Sequence, residues 1–232
     1  MLNAAQAPVR LAGGLEVPAW ALGLAGLALV ATLTVPQSPL SLVRCRVKPS
    51  GKYFWPMNPI KPDDGSGRVI PDTKFLDPEY PTEYGLHTGV DLNGPVQPRF
   101  GADSDLGQPV HAITDGEVVF AGPAGGNDQS WGNLVVIWHP GPAVWTRSAH
   151  LRDVLVRKGQ CVSAGQQIGT VGKGYNGRWP AHLHFDVFKK KPVAWDDWPM
   201  HRRQYLLDHY VDPMEFFRKV SPQFPPRWAG RK

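Results

Sequence analysis

The segment Ala181-His182-Leu183-His184-Phe185-Asp186-Val187-Phe188 alternates in polarity. In an extended strand His182, His184 and Asp186 therefore share one face, while Leu183, Phe185 and Val187 share the other. A half-buried strand with a polar face would show the same pattern. Two upstream segments point further: His87-Thr88-Gly89-Val90-Asp91 adds a histidine and a carboxylate, and Ser148-Ala149-His150-Leu151 adds a histidine at the end of an apolar run. A catalytic zinc takes three protein ligands and keeps a fourth position open for water. His87, Asp91 and one of the two strand histidines meet that requirement. A metal so held lowers the pKa of bound water to about 7 and polarises a carbonyl oxygen, and amide hydrolysis at neutral pH needs both. Proton transfer then falls to the remaining histidines, because no H-E-x-x-H is present and none of Glu16, Glu79, Glu83, Glu117 and Glu215 sits beside these segments.

The other candidates read more plainly. His111 and His139 lie at strand ends and suit hydrogen-bonded scaffold, and His201 and His209 belong to a surface helix. Asp186 is placed to accept a hydrogen bond from a site histidine. Trp131, Tyr175 and Trp179 are candidates to line a groove. Gly172-Lys173-Gly174-Tyr175-Asn176-Gly177 matches G-x-G-x-x-G, but Arg178-Trp179-Pro180 leads straight into the histidine strand, with no helix N-terminus to receive a pyrophosphate. It reads as a loop beside the site.

Short apolar or alternating runs position these groups: 108–113, 116–121, 133–139, 143–151, 160–162, 167–171 and 181–188, punctuated by Asp115-Gly116, Asn127-Asp128 and Pro140-Gly141. They predict a mainly β, mostly antiparallel domain. A turn-rich insertion, 92–107, has no periodicity, as functional or mobile loops tend not to. After the last strand, 201–210 reads as a short helix. A second helix follows, with Asp212 at N-cap, Pro213 at N1, Glu215 at N3 and Val211 placed to staple Phe216.

The chain has 232 residues, 25 of them Gly and 24 Pro, enough for one ordinary domain with loop-rich extensions. A net charge of +5 allows nucleic acid, an anionic membrane or an anionic wall polymer. The basic clusters 189–191, 202–203 and 227–232 lack the aromatic interleaving of a nucleic-acid module and read as solvated faces. Residues 19–35 carry no charge and sit between signal-peptide and membrane-span length, so 1–36 reads as a signal peptide or membrane anchor with a hydrophobic helix. The cations Arg44, Arg46, Lys48 and Lys52 after this span oppose the positive-inside pattern of an exported domain. Export remains the favoured reading, and through residues 19–35 the chain would meet a membrane. The segment 37–86 is an irregular Pro-rich arm, with Asn58, Asp63 and Asp64 as groups able to cap a metal if the arm covers the groove. Cys45 and Cys161 could pair in an oxidising compartment, worth on the order of 4 kcal/mol in the chain-entropy model, or remain two thiols.

Together, His87-x-x-x-Asp91, Gly116-Glu117-Val118-Val119-Phe120-Ala121-Gly122, Trp131-Gly132-Asn133-Leu134-Val135-Val136-Ile137-x-His139, Ala149-His150-Leu151, Val162-x-x-Gly165-Gln166-x-Ile168-Gly169 and His182-Leu183-His184-Phe185 resemble the lysostaphin-type (LytM-type) zinc metalloendopeptidases. The resemblance implies a β-sheet groove of the duplicated-hybrid-motif kind, placed here at 87–190; the helix signals after it make 191–232 a helical extension. It implies one zinc per chain, bound by His87, Asp91 and His184, with His150 and His182 orienting the water, moving its proton and stabilising the oxyanion. The implied substrate is peptide bonds in peptidoglycan stems or cross-bridges, cut in the extracytoplasmic cell envelope by a membrane-anchored or secreted enzyme. A non-catalytic wall-binding or hydrolase-regulating module is the alternative; members of that kind are expected to lack ligands, and none is missing here. Ser148, where the family has an aromatic, and the 92–107 insertion depart from the pattern and bear on which bond is preferred.

Overall fold

The computed structural model describes residues 9–10, 16–17, 45–57, 70–94, 99–124, 129–199 and 201–220. The hydrophobic segment 19–35, the arm positions Asn58, Asp63 and Asp64, the turn 127–128 and the basic tail lie outside these residues. Among the described residues no helix is long and apolar enough to cross a membrane. The chain divides into two units, 1–43 and 44–232. In the first, β1 (Val9–Arg10) pairs antiparallel with β2 (Glu16–Val17).

The second unit carries ten described strands, all paired antiparallel: β3 (Ile70–Pro71), β4 (Val90–Asn93), β5 (Pro109–His111), β6 (Gly116–Pro123), β7 (Asn133–His139), β8 (Val144–Val154), β9 (Cys161–Val162), β10 (Gln167–Val171), β11 (Leu183–Phe188) and β12 (Tyr210–Val211). Their order is β3-β4-β11-β8-β7-β6-β9, with β10 between β5 and β8 and β12 on the edge of β11. The mainly β, antiparallel expectation holds. Strands β7 and β10 have the predicted bounds, and β8 runs three residues further than its apolar run. Strand β4, which carries Asp91, was not foreseen.

One face of β4 and β11 supplies Val90, Leu92, Leu183, Phe185 and Val187 to the core, where Val135, Ile137, Val162 and Ile168 join them. Contrary to the half-buried alternative, β11 is buried along its whole length, because the alternating polar face is covered as well. The two C-terminal helices, α1 (Arg203–His209) and α2 (Pro213–Val220), form as predicted, α1 starting later than residue 201. The Asp212 carboxylate accepts the Met214 N–H at 2.7 Å, satisfying one of the donors that a helix start leaves without a partner. This directs Phe217 onto Trp55 (ring centroids 4.4 Å apart) and Phe185 (6.0 Å). The start of the arm is irregular but not superficial: Phe54 N–H bonds the Ile113 carbonyl at 2.8 Å, and Trp55 and Met57 are core residues. Cys45 and Cys161 form a disulfide.

Candidate metal centre

Strand pairing brings the distant histidine segments together. Asp91 on β4 is the register partner of His184 on β11, and Ala149 on β8 is His184's partner on the other side. His87 lies three residues before β4. The ligand atoms of His87, Asp91 and His184 lie within 4.8 Å of one another. Among the described residues no other His, Cys, Asp or Glu trio converges in this way. Gly89 permits the approach, since a Cβ there would collide with the Phe185 carbonyl and the Asp186 carboxylate.

Hydrogen bonds fix which nitrogen each imidazole presents. His87 Nδ1–H is committed to the carbonyls of Lys74 (2.9 Å) and Gly89 (3.1 Å), so Nε2 faces Asp91 Oδ1 at 3.1 Å as a lone pair. His184 Nε2–H donates to Asp186 Oδ2 at 3.1 Å, and its Nδ1 faces the same Asp91 oxygen at 2.9 Å. Two nitrogen lone pairs and a carboxylate oxygen, all acceptors, thus share one spot, an arrangement that suits a cation. A proton and a metal cation would compete for this spot, and the electrostatics favour positive charge there. Burial opposes charge on His184, but Asp186 and Asp91 outweigh it and hold its pKa up to about 9. Burial likewise opposes charge on Asp91, and His87 and His184 outweigh it, holding the carboxyl well below its usual range.

The other two predicted histidines flank this cluster. His182 donates Nδ1–H to the Pro180 carbonyl at 2.8 Å, and its Nε2 lies 3.7 Å from Asp91 Oδ1. His150 donates Nδ1–H to the Trp131 carbonyl at 3.1 Å, and its ring centroid is 4.7 Å from that of His182. Burial, with His182 and His184 nearby, pushes the His150 pKa well down. His150 adopts φ +61° within a β-bulge, where Asn133 pairs with Leu151 but Val135 pairs with Ser148. An αL conformation is uncommon for a residue other than glycine, and the extra residue re-aims the side chain toward the cluster. His139 is hydrogen-bonded scaffold as expected, whereas His111 Nδ1 has no hydrogen-bond partner among the described residues.

The cluster floors a cleft of about 360 Å³ lined by His87, Asp91, His150, His182 and His184 together with Tyr80, Tyr84, Trp131, Trp179 and Trp198. Trp131 and Trp179 are thus lining residues as proposed from sequence, while Tyr175 is not and stands 49% exposed. Sequence reading missed Tyr80, Tyr84 and Trp198. Tyr80 packs on His87 (4.8 Å), Tyr84 meets the edge of Trp179 (5.6 Å), and Trp198 Nε1–H donates to the Tyr84 carbonyl at 2.7 Å. The available signal was several rings in segments with too little periodicity to bury them. The insertion contributes Asp103, which pairs with Lys173 at 2.6 Å and accepts the Ala181 N–H at 3.0 Å. It thereby ties the glycine-rich loop to the start of β11. Gly174 (φ +69°) lies against Ser130, Trp179 and the His150 ring, so that loop does lie beside the site.

Residues 85–195 match peptidase family M23. The chain is 41% identical over 101 residues to Peptidoglycan DD-endopeptidase ShyA of Vibrio cholerae, a match covering 42% of this chain and 22% of that protein. It is 40% identical over 110 residues to Murein hydrolase activator NlpD of Escherichia coli, covering 47% of this chain and 25% of that one. The matched segment is thus about a quarter of the length of these curated relatives. Among solved structures, the catalytic domain of the antimicrobial peptidase lysostaphin from Staphylococcus simulans aligns with a TM-score of 0.47 at 24% identity, over 65% of this chain and 92% of that domain. The matched segment 85–195 begins two residues before His87 and spans all five cleft-floor side chains, so the likeness to peptidase family M23 falls on the part of the chain that carries the cluster.

Proposed function

We propose that the protein is an exported zinc metalloendopeptidase that hydrolyses peptide bonds in the stems or cross-bridges of bacterial peptidoglycan. The observation that carries this reading is the meeting of His87 Nε2, His184 Nδ1 and an Asp91 oxygen, each turned to the centre by a hydrogen bond or strand register on its far side. This donor set fits one zinc per chain, which when bound would polarise a substrate carbonyl and acidify a water. His150 and His182 each have Nδ1–H anchored to a backbone carbonyl, leaving Nε2 to exchange protons. Hydrolysis requires a water oxygen to bond the carbonyl carbon as an imidazole takes its proton, then that proton to reach the departing nitrogen as the C–N bond breaks. The rings of Tyr84, Trp179 and Trp198 line one side of the cleft in which this exchange would take place.

The wall substrate is supported by the likeness to a peptidoglycan endopeptidase and by the net charge of +5, which suits an anionic polymer. The Cys45–Cys161 disulfide suits an oxidising, extracytoplasmic compartment. In this reading 1–36 is a signal peptide or membrane anchor, 37–86 an arm, 87–190 the catalytic core and 191–232 a helical extension. A second reading, a module that regulates another wall hydrolase, is favoured by the likeness to a murein hydrolase activator. Purified chain loaded with zinc is expected to release new amino termini from isolated walls, and a chelator to stop it. Walls left intact across several peptide chemistries would favour the regulatory reading, as would an envelope phenotype that His150→Ala leaves unchanged.

A further inference from the structure

Arg147 lies on β8 three residues before His150 and is fully buried, as is its cross-strand partner Asp186 on β11. Its Nε donates to Asp186 Oδ2 at 2.7 Å, and its Nη1 donates to the carbonyls of Trp195 (2.8 Å) and Asp197 (3.2 Å). The guanidinium carbon sits 3.9 Å from the centre of the Trp131 ring. Removing two charges from water is costly, and a well-packed apolar pair often serves stability as well or better. The particular contacts of Arg147 therefore need another account.

Each contact leads to a different wall of the metal centre. Asp186 receives His184 Nε2–H, which leaves Nδ1 for the ion; its other oxygen accepts the Thr88 hydroxyl at 2.7 Å. Trp131, on which the guanidinium stacks, holds His150 through its carbonyl and lies 5.1 Å from His184, ring to ring. The carbonyls of Trp195 and Asp197 belong to the segment that presents Trp198 to the cleft. One cation thus braces a ligand, a flanking histidine and an aromatic wall.

We infer that Arg147 is the positioning residue of the metal centre. Acting through Asp186, it keeps His184 in the Nε2–H tautomer with Nδ1 turned inward; acting through Trp131, it keeps His150 in register with it. This rests on reading the cluster as a metal centre, but the tautomer can be read without any metal, so the two ideas fail separately.

The test compares Arg147→Met, Arg147→Lys and Asp186→Asn in the full chain, with thermal unfolding as the check on folding. Zinc affinity, from competition with a chromophoric chelator, is expected to fall about 10- to 100-fold in Arg147→Met and Asp186→Asn, the usual effect of losing a partner behind a ligand. Arg147→Lys should recover part of it, and Arg147→Met with Asp186→Asn should cost less than the two losses combined, because both act along one line of contacts. In metal-free protein held well above pH 9, where the His184 ring is neutral, nitrogen-15 spectra should show His184 as a single Nε2–H tautomer in the wild type and a mixture in Arg147→Met. A folded Arg147→Met with wild-type zinc affinity and an unmixed His184 tautomer overturns the inference. If that variant does not fold, Arg147→Lys with both readouts unchanged does so. Loss of the single tautomer in a chain that takes up no zinc would leave Arg147's role standing and sink the metal reading instead.

Discussion

His139 and His184 are both fully buried strand histidines, and they end up at opposite ends of the imidazole range. His139, at the end of β7, donates Nδ1–H to the Asp115 carbonyl at 3.2 Å and accepts the Thr146 hydroxyl at 2.9 Å. Both partners are neutral, and burial pushes its pKa down to about 4. His184 has a carboxylate at each nitrogen and is held up to about 9 despite the same burial. Burial therefore does not separate a scaffold histidine from a candidate metal ligand. The charge of what each nitrogen touches does, and two carboxylates around one ring mark a place built for positive charge.

Replacing the charged partners should break the site and spare the scaffold. Asp91→Ala is expected to abolish tight zinc binding and to lower wall hydrolysis at least about a thousandfold, the loss of several kcal/mol of charge stabilisation. Metal analysis after dialysis, beside a peptide-release assay, checks both. His150→Ala should keep zinc within a few-fold while kcat drops about 10²- to 10⁴-fold, as for loss of a proton-transfer group.

The scaffold histidine makes the opposite kind of prediction. Its folded pKa of about 4 lies below the unfolded value near 6.5, so the unfolded chain binds the extra proton between those pH values. Its contribution is complete above pH 6.5 and is lost as pH falls toward 4, about 3 kcal/mol in all. Denaturant unfolding across that window, compared with His139→Gln, isolates the slope; equal slopes in the two proteins would contradict the assignment. The smallest expected effect is Thr146→Val, which leaves His139 Nε2 without its donor and should cost about 1 to 3 kcal/mol at pH 7 without altering zinc affinity.

Much of this architecture was legible because the pieces are local. The alternation at 181–188, the runs that became β7 and β10, and the Asp212-Pro213 start of α2 all carry their signal within a few residues. What escaped notice depends on partners far along the chain. Strand β4 is four residues long, too short to show a period, and it exists because it pairs with β11 more than 90 positions later. The bulge that re-aims His150 is invisible in a sequence where Ala149 and His150 look like two more steps of a strand. Arg147 was passed over inside an apolar run, although an arginine in a strand that must be buried calls for a carboxylate, and Asp186 was already in view. Trp131 and Trp179 were read as lining, but Tyr80, Tyr84 and Trp198 were missed because they come from two irregular stretches that only the folded sheet brings beside them.

The Cys45–Cys161 bond joins the early part of the arm to β9, the last strand on the side of the sheet away from β4. Tension applied through anything upstream of Cys45 would therefore enter the domain at that outer strand. Strands β6, β7 and β8 stand between that point of loading and β11. A pull on that side of the chain would load the edge of the sheet most remote from the cluster, and the geometry around His184 would not bear it.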